Sequence, residues 1–161
     1  MDGIEFIRRG REAVPLAVVF LTIGAGRGLA QVPVSVRGAW RPTTYHLKNG
    51  VSHPVDGLIV FTKSDWSVVY FVLDADGKPG RGSGEGGTYT RDGNRLVFTH
   101  RFNLVGGRAM EGLEEAPLAM TVRGATGAPI EPSTIELTPD RLVIAFPSGN
   151  RLDFRRSSPP D

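Results

Sequence analysis

The sequence predicts an all-β fold: an eight-stranded up-and-down antiparallel β-barrel with a long loop, or lid, inserted at its open end. Three observations predict it. From Val34 onward helical periodicity all but vanishes, and short runs of valine, phenylalanine, tyrosine and threonine alternate with glycine, proline and aspartate turns. Eight such runs can be read, an even number that leaves the first and last strands antiparallel and able to meet. The connections also sort by parity, with tight turns at one end and long loops at the other, as in a closed sheet with a single mouth.

Residues 1–30 have the three-part form of an export signal. Arg8, Arg9 and Arg11 precede an apolar run from Ala13 to Gly26, and Gly28-Leu29-Ala30 supplies small residues before Gln31. The run falls short of the ~20 residues a membrane span needs, so the signal is the only membrane connection expected. Arg8-Arg9 raises a twin-arginine route, but Gly10-Arg11-Glu12 stands where an apolar pair belongs. The expected location is therefore periplasmic or secreted. Residues 36–156 form the expected barrel domain and 157–161 a disordered tail.

The strands are expected at 36–48, 57–62, 66–73, 86–91, 95–102, 133–138, 141–147 and 150–156. Tight turns fall at Lys63-Ser64-Asp65, Asp92-Gly93-Asn94 and Pro139-Asp140; the long loops are 49–56, 74–85 and 103–132. Ser148-Gly149 is a short turn on the long-loop side. Leu118, Met120 and Val122 alternate as a ninth strand would, but an odd count upsets the parity. Residues 103–132 are accordingly read as one mouth insertion, with a helical turn at Ala109–Ala116 acting as a lid. The strand 66–73 is apolar on both faces, which implies that its outer side is covered by a partner or by the N-terminal segment.

The 161 residues carry 19 Lys and Arg against 17 Asp and Glu, with no basic block, so nucleic acid is not an expected partner. There is no cysteine, which excludes disulfides, thiolate nucleophiles and cysteine metal sites. Trp40 sits near the start of the first strand, at the tight-turn end. Its ring would bury roughly 150–250 Å². Gly38 leaves room beside it, and Arg156, at the end of the last strand, shares a face with Leu152 and Phe154, so its guanidinium can lie across the indole.

Gly38-Ala39-Trp40 with a terminal arginine, together with Gly57-Leu-Ile-Val-Phe-Thr62, Gly87-Thr-Tyr-Thr-Arg-Asp-Gly-Asn94, Thr99-His100 and Arg151-Leu-Asp-Phe-Arg-Arg156, resembles the lipocalins, and more closely the small bacterial lipocalin-like domains. The resemblance spans 36–156 and implies a barrel, within the calycin superfamily, whose cavity binds a small apolar molecule. The chain departs from the larger secreted lipocalins in lacking a disulfide and a clear C-terminal helix.

Other motifs carry less. Gly82-Ser-Gly-Glu-Gly-Gly87 matches a dinucleotide fingerprint by letter but precedes a strand, where no helix N-terminus can hold a pyrophosphate; it reads as a flexible mouth loop. Asp74-Ala-Asp76-Gly77 lacks the later ligands of a calcium loop. His46, His53 and His100 lack metal-ligand spacing, so neither metal nor cofactor is expected. His46 would point inward near the mouth if the first strand has no bulge, and His53 would be solvated in a loop. Leu96, Phe98, His100 and Phe102 share one strand face, which puts His100 inside among aromatics.

The expected cavity walls are Phe61, Phe98, Phe102, Leu142, Ile144 and Phe146, with His100 and Tyr89 orienting the ligand. The leading expectation is an exported carrier of a small apolar or amphipathic molecule. Two readings compete with it: a barrel enzyme of the isomerase or cyclase type using His100 as general acid or base, and an envelope interaction protein with a solid core. No Gly-x-Ser-x-Gly elbow supports hydrolase chemistry.

Overall fold

A computed structural model of the chain describes residues 34–157. The expected export signal and residues 158–161 of the expected tail lie outside them. Nine strands follow in order: β1 Gly38–His46, β2 Ser52–Phe61, β3 Asp65–Leu73, β4 Pro79–Asp92, β5 Arg95–Gly107, β6 Ala116–Val122, β7 Ile130–Leu137, β8 Arg141–Ala145 and β9 Arg151–Arg156. Each of β1 to β5 pairs with the next, β5 pairs with β7, and β7, β8 and β9 lead back to β1. All these pairings are antiparallel, so eight strands close a barrel and no helix occurs among the described residues.

The segment expected to be loop and helical turn behaves differently. β6 is a ninth strand, attached to the distal half of β5 through pairs such as Phe102↔Val122 and Leu104↔Met120. It lies outside the ring, so the parity of the eight is preserved. The lid is a tight turn in which Met110 and Leu113 exchange backbone hydrogen bonds of 2.8 and 2.9 Å. Two loops also shrink. β2 already begins at Ser52, and β4 takes in the glycine-rich stretch 79–87. Composition misleads there because glycine serves as a spacer: Gly82, Gly84 and Gly86 alternate on the outer face of β4. A Cβ at Gly86 would lie 2.3 Å from the ring of Phe102, and one at Gly82 would lie 3.3 Å from that of Phe71.

Two bulges decide which side chains enter the barrel. In β5 the pairing with β4 slips between His100↔Gly87 and Phe102↔Gly86, leaving Arg101 as an extra residue. Before it Leu96, Phe98 and His100 face inward; after it Phe102 and Leu104 face outward, 42% and 44% exposed. Phe102 is therefore not a cavity wall. In β1 the register slips between Pro42 and Thr44. Tyr45 turns inward as a result, and His46 turns outward to bond Ser52 Oγ through Nδ1 at 2.8 Å. His53 belongs to β2 rather than to a solvated loop, and it is buried.

The core fills the lower barrel around Trp40, Phe61, Leu96, Phe98, Leu142 and Ile144, all at most 2% exposed. On β3, Trp66, Val68, Tyr70 and Val72 point inward, while Val69 and Phe71 point out and stay about half exposed. The outward row Leu58–Val69–Gly84–Leu104–Met120 crosses five strands in register.

Candidate functional site

The base of the barrel is sealed from the sequence upward. Trp40 is fully buried, and its Nε1 donates to the Val36 carbonyl at 2.7 Å. The Arg156 guanidinium carbon stands 3.9 Å from the indole centroid. The same guanidinium donates to the carbonyls of Pro139, Arg37 and Ser35 at 2.6, 3.1 and 2.9 Å, tying the β7–β8 turn and the segment before β1 across the opening. Gly38 has φ 112°, and a Cβ there would stand 3.2 Å from Arg156 Nη1. A side chain at position 38 would be strained and would press on the arginine.

Above this plug, eight strands close into a ring with short turns below and the longer connections above. The fold is lipocalin-like. No family model matches the chain, and no curated protein matches it. Two solved structures align with it. A lipocalin-like protein from Bacteroides uniformis is 18% identical, with 75% of this chain and 97% of that one covered and a TM-score of 0.44. An uncharacterized protein from Bacteroides eggerthii is 14% identical, with 76% and 100% covered and a TM-score of 0.47.

The lipocalin-like barrel holds a cavity of about 160 Å³. Of the residues singled out from sequence, Phe98, His100, Ile144 and Phe146 line it. Phe61 and Leu142 are buried in the core and do not line it. Tyr89 is likewise structural: its hydroxyl donates to the Thr62 carbonyl at 2.8 Å, bracing the β2–β3 turn. Trp66, Tyr70 and Tyr45 add aromatic wall that sequence alone did not assign, and Glu85 and Glu131 add charge. Period-two counting inward from Tyr89 on β4 and from Ile135 on β7 would have found both glutamates. The glycines around Glu85 and the loop assigned to 103–132 concealed that alternation.

His100 sits between the two carboxylates. Its Nδ1 is 2.9 Å from Glu85 Oε2, and its Nε2 is 3.9 Å from Glu131 Oε2. The hydrogen bond with Glu85 raises the imidazole pKa above its ordinary value, against the opposing effect of burial. Burial works to raise the Glu85 pKa, but hydrogen bonds from His100 and Ser83 outweigh it and hold this carboxyl below the usual range. Burial dominates at Glu131 and pushes its pKa up. The cluster thus favours an imidazolium donating to an ionised Glu85, with a neighbouring carboxyl that gains a proton readily. Ser83 Oγ fixes Glu85 from the other side at 2.8 Å, and Glu85 in turn orients the ring.

Two buried polar atoms of the lining have no hydrogen-bond partner among the described residues: Trp66 Nε1 and His100 Nε2. Their rings meet edge to face with centroids 5.2 Å apart. A buried donor without an acceptor costs roughly 1–3 kcal/mol, so the pair is a standing demand for an acceptor inside a chamber walled mainly by aromatic and aliphatic side chains. Tyr45 is held to the β8–β9 turn, its hydroxyl accepting from Asn150 Nδ2 at 2.7 Å.

The mouth is crossed by the Met110–Leu113 turn, whose two apolar side chains pack on the core cluster. His53 Nε2 donates to the Glu111 carbonyl at 2.8 Å, Arg81 donates to the Glu114 carbonyl, and Arg108 pairs with Asp74. These three polar ties hold the turn down without a covalent link. Among the described residues, no group of three or more His, Asp or Glu side chains has metal-binding geometry.

Proposed function

We propose that this protein binds one small, mostly apolar molecule in the barrel, with a hydrogen-bond acceptor on that molecule received by His100 Nε2 and Trp66 Nε1. The observation that carries the reading is the pair of unpaired buried nitrogens in an aromatic cavity. Size narrows the class. A cavity of about 160 Å³ matches the ~150 Å³ voids known to hold a single benzene ring, so the body of the ligand is one ring or its aliphatic equivalent. Charge narrows it again. Glu85 already balances the charge of the His100 imidazolium, so no spare positive charge is offered to a ligand carboxylate, which leaves a carbonyl, ether or hydroxyl oxygen as the acceptor. The N-terminal pattern supports an exported carrier acting in the periplasm or outside the cell.

The test compares acetophenone with isopropylbenzene, which has nearly the same shape and no oxygen. Titration followed by Trp66 fluorescence or NMR should show acetophenone binding at least about tenfold tighter, the value of one net hydrogen bond near 1.4 kcal/mol. That preference should collapse in Trp66→Phe. Equal binding of the two compounds, or binding of neither, defeats the reading.

The Glu85–His100 pair also favours a second reading, an acid–base catalyst in which Glu85 orients the ring and His100 Nε2 moves a proton on a bound carbonyl compound. In His100→Asn, retained binding with lost turnover would select it. A modest change in affinity alone selects the carrier.

A further inference from the structure

His100 keeps its two ring nitrogens in different company. Nδ1 lies 2.9 Å from Glu85 Oε2, and the Ser83 hydroxyl fixes Glu85 in turn at 2.8 Å. Against the pull of burial, those hydrogen bonds hold the Glu85 carboxyl below the usual range, so it stays ionised. A carboxylate can only accept, and Nδ1 therefore carries its hydrogen whether the ring is charged or neutral. A neutral imidazole has a single N–H. Loss of a proton thus strips Nε2 alone, and the buried nitrogen that stands unpaired beside Trp66 turns from donor to acceptor.

Trp66 Nε1 is a donor in both states. With His100 charged, the cavity offers two hydrogens, which the two lone pairs of one carbonyl oxygen can receive. With His100 neutral, it offers one hydrogen and one lone pair. A carbonyl has no hydrogen for that lone pair and is repelled by it. A hydroxyl suits both patterns because its hydrogen rotates. It accepts twice in the first state, and in the second it accepts from Trp66 and donates to His100.

We propose that His100 is the specificity switch of the cavity: with a proton on Nε2 the site takes a carbonyl or a hydroxyl compound, and without that proton it keeps the hydroxyl compound and releases the carbonyl. This rests on the acceptor-binding reading above and adds the class of molecule held in each state, a one-ring ketone against the alcohol of the same skeleton. The Glu85 bond raises the imidazole pKa and burial opposes it, so the change falls above the ordinary value of about 6.5.

The other groups around the ring sort themselves by strand. Glu131 on β7 is 3.9 Å from Nε2, and burial raises its pKa, which makes it the one other cavity group able to titrate near neutrality. Arg123, after β6, keeps its charge and works against the protonated ring. Tyr45 on β1 and Tyr70 on β3 are pushed by burial above the ordinary phenol value of about 10, so both stay neutral. Ile59, Ile144, Leu152 and Phe154, from β2, β8 and β9, carry no titratable group.

Acetophenone and 1-phenylethanol, nearly equal in shape, test the switch when titrated against the full chain between about pH 5 and pH 9.5. Acetophenone should lose at least about tenfold in affinity as pH rises through the His100 titration, the value of one net hydrogen bond, while 1-phenylethanol changes by less than about threefold. By reciprocity, bound acetophenone should raise the His100 pKa by at least about 1 in an NMR titration, and bound 1-phenylethanol should leave it nearly where it was. In His100→Asn both affinities should be flat with pH, and in Glu131→Gln the loss of acetophenone should persist and follow the His100 titration. Acetophenone that outbinds isopropylbenzene with an affinity unchanged across that titration overturns the switch and leaves the acceptor reading standing. Binding of neither oxygen compound at any pH overturns both. A loss that vanishes in Glu131→Gln while His100 still titrates, or that survives in His100→Asn, places the switch elsewhere and overturns it here.

Discussion

Replacing Arg156 tests whether the base of the barrel is held by a cation over an indole. Arg156→Ala removes a guanidinium 3.9 Å from the Trp40 ring and three hydrogen bonds, of 2.6, 2.9 and 3.1 Å, to backbone carbonyls. A partly exposed cation–π contact contributes about 0.5–1 kcal/mol. Water can take over the freed carbonyls at this open end, so each hydrogen bond is set at about 1 kcal/mol, the net value for an ordinary bond. The expected loss is about 3–4 kcal/mol, a large part of the ~5–15 kcal/mol of a typical domain. Lysine keeps the charge but cannot span three acceptors, so Arg156→Lys should lose about 2 kcal/mol. Urea unfolding, with slopes of roughly 1–3 kcal/mol/M, would register the alanine variant as a midpoint lowered by at least about 1 M. A double-mutant cycle with Trp40→Phe should give a coupling of at least about 0.5 kcal/mol. If both Arg156 variants unfold within about 0.5 kcal/mol of the parent, the plug is not what holds the barrel base.

The remaining expectations concern the cavity, the lid and the N-terminus. His100 has a raised folded pKa, so its stabilisation is full below the ordinary imidazole value of about 6.5 and is lost as pH rises through the folded value. Glu85 has a lowered one, so its stabilisation is present above about 4.5 and is lost as pH falls through the folded value. Stability measured against pH should therefore peak between those limits, and Glu85→Gln should flatten the profile and lower the His100 pKa in an NMR titration; an unmoved His100 would contradict the geometry. His53→Ala should speed hydrogen exchange around Met110–Leu113 by at least about tenfold while leaving Trp40 fluorescence unchanged, since it cuts one tie of the lid and touches nothing at the base. Edman sequencing of protein recovered outside the cytoplasm should start at Gln31, and a start at Met1 would remove the export reading.

What the sequence made legible follows from what repeats in it. Strand alternation and turn chemistry are local, so the eight ring strands and the three tight turns at the base could be read directly. The Trp40–Arg156 contact was also legible, because it depends only on which end of the barrel the first and last strands reach. The cavity was harder, because inward and outward are decided by two single-residue slips, at Arg101 and near Thr43, that no local pattern announces. Those slips exchange Phe102 for Asn103 and His46 for Tyr45. Glu85 was hidden for a different reason: its neighbours are glycines, which look like loop until the rings of Phe71 and Phe102 are seen lying over them.

The extra residue at position 101 has a consequence for how such a barrel divides its aromatic and aliphatic mass. Were Arg101 held in the ladder as an ordinary paired residue, regular alternation would turn Phe102 and Leu104 inward and carry Asn103 and Val105 to the surface, exchanging a hollow vessel with a greasy flank for a stuffed one with a wetter coat. Which side chains fill the chamber and which coat its flank are thus set together, by a single slip in the pairing.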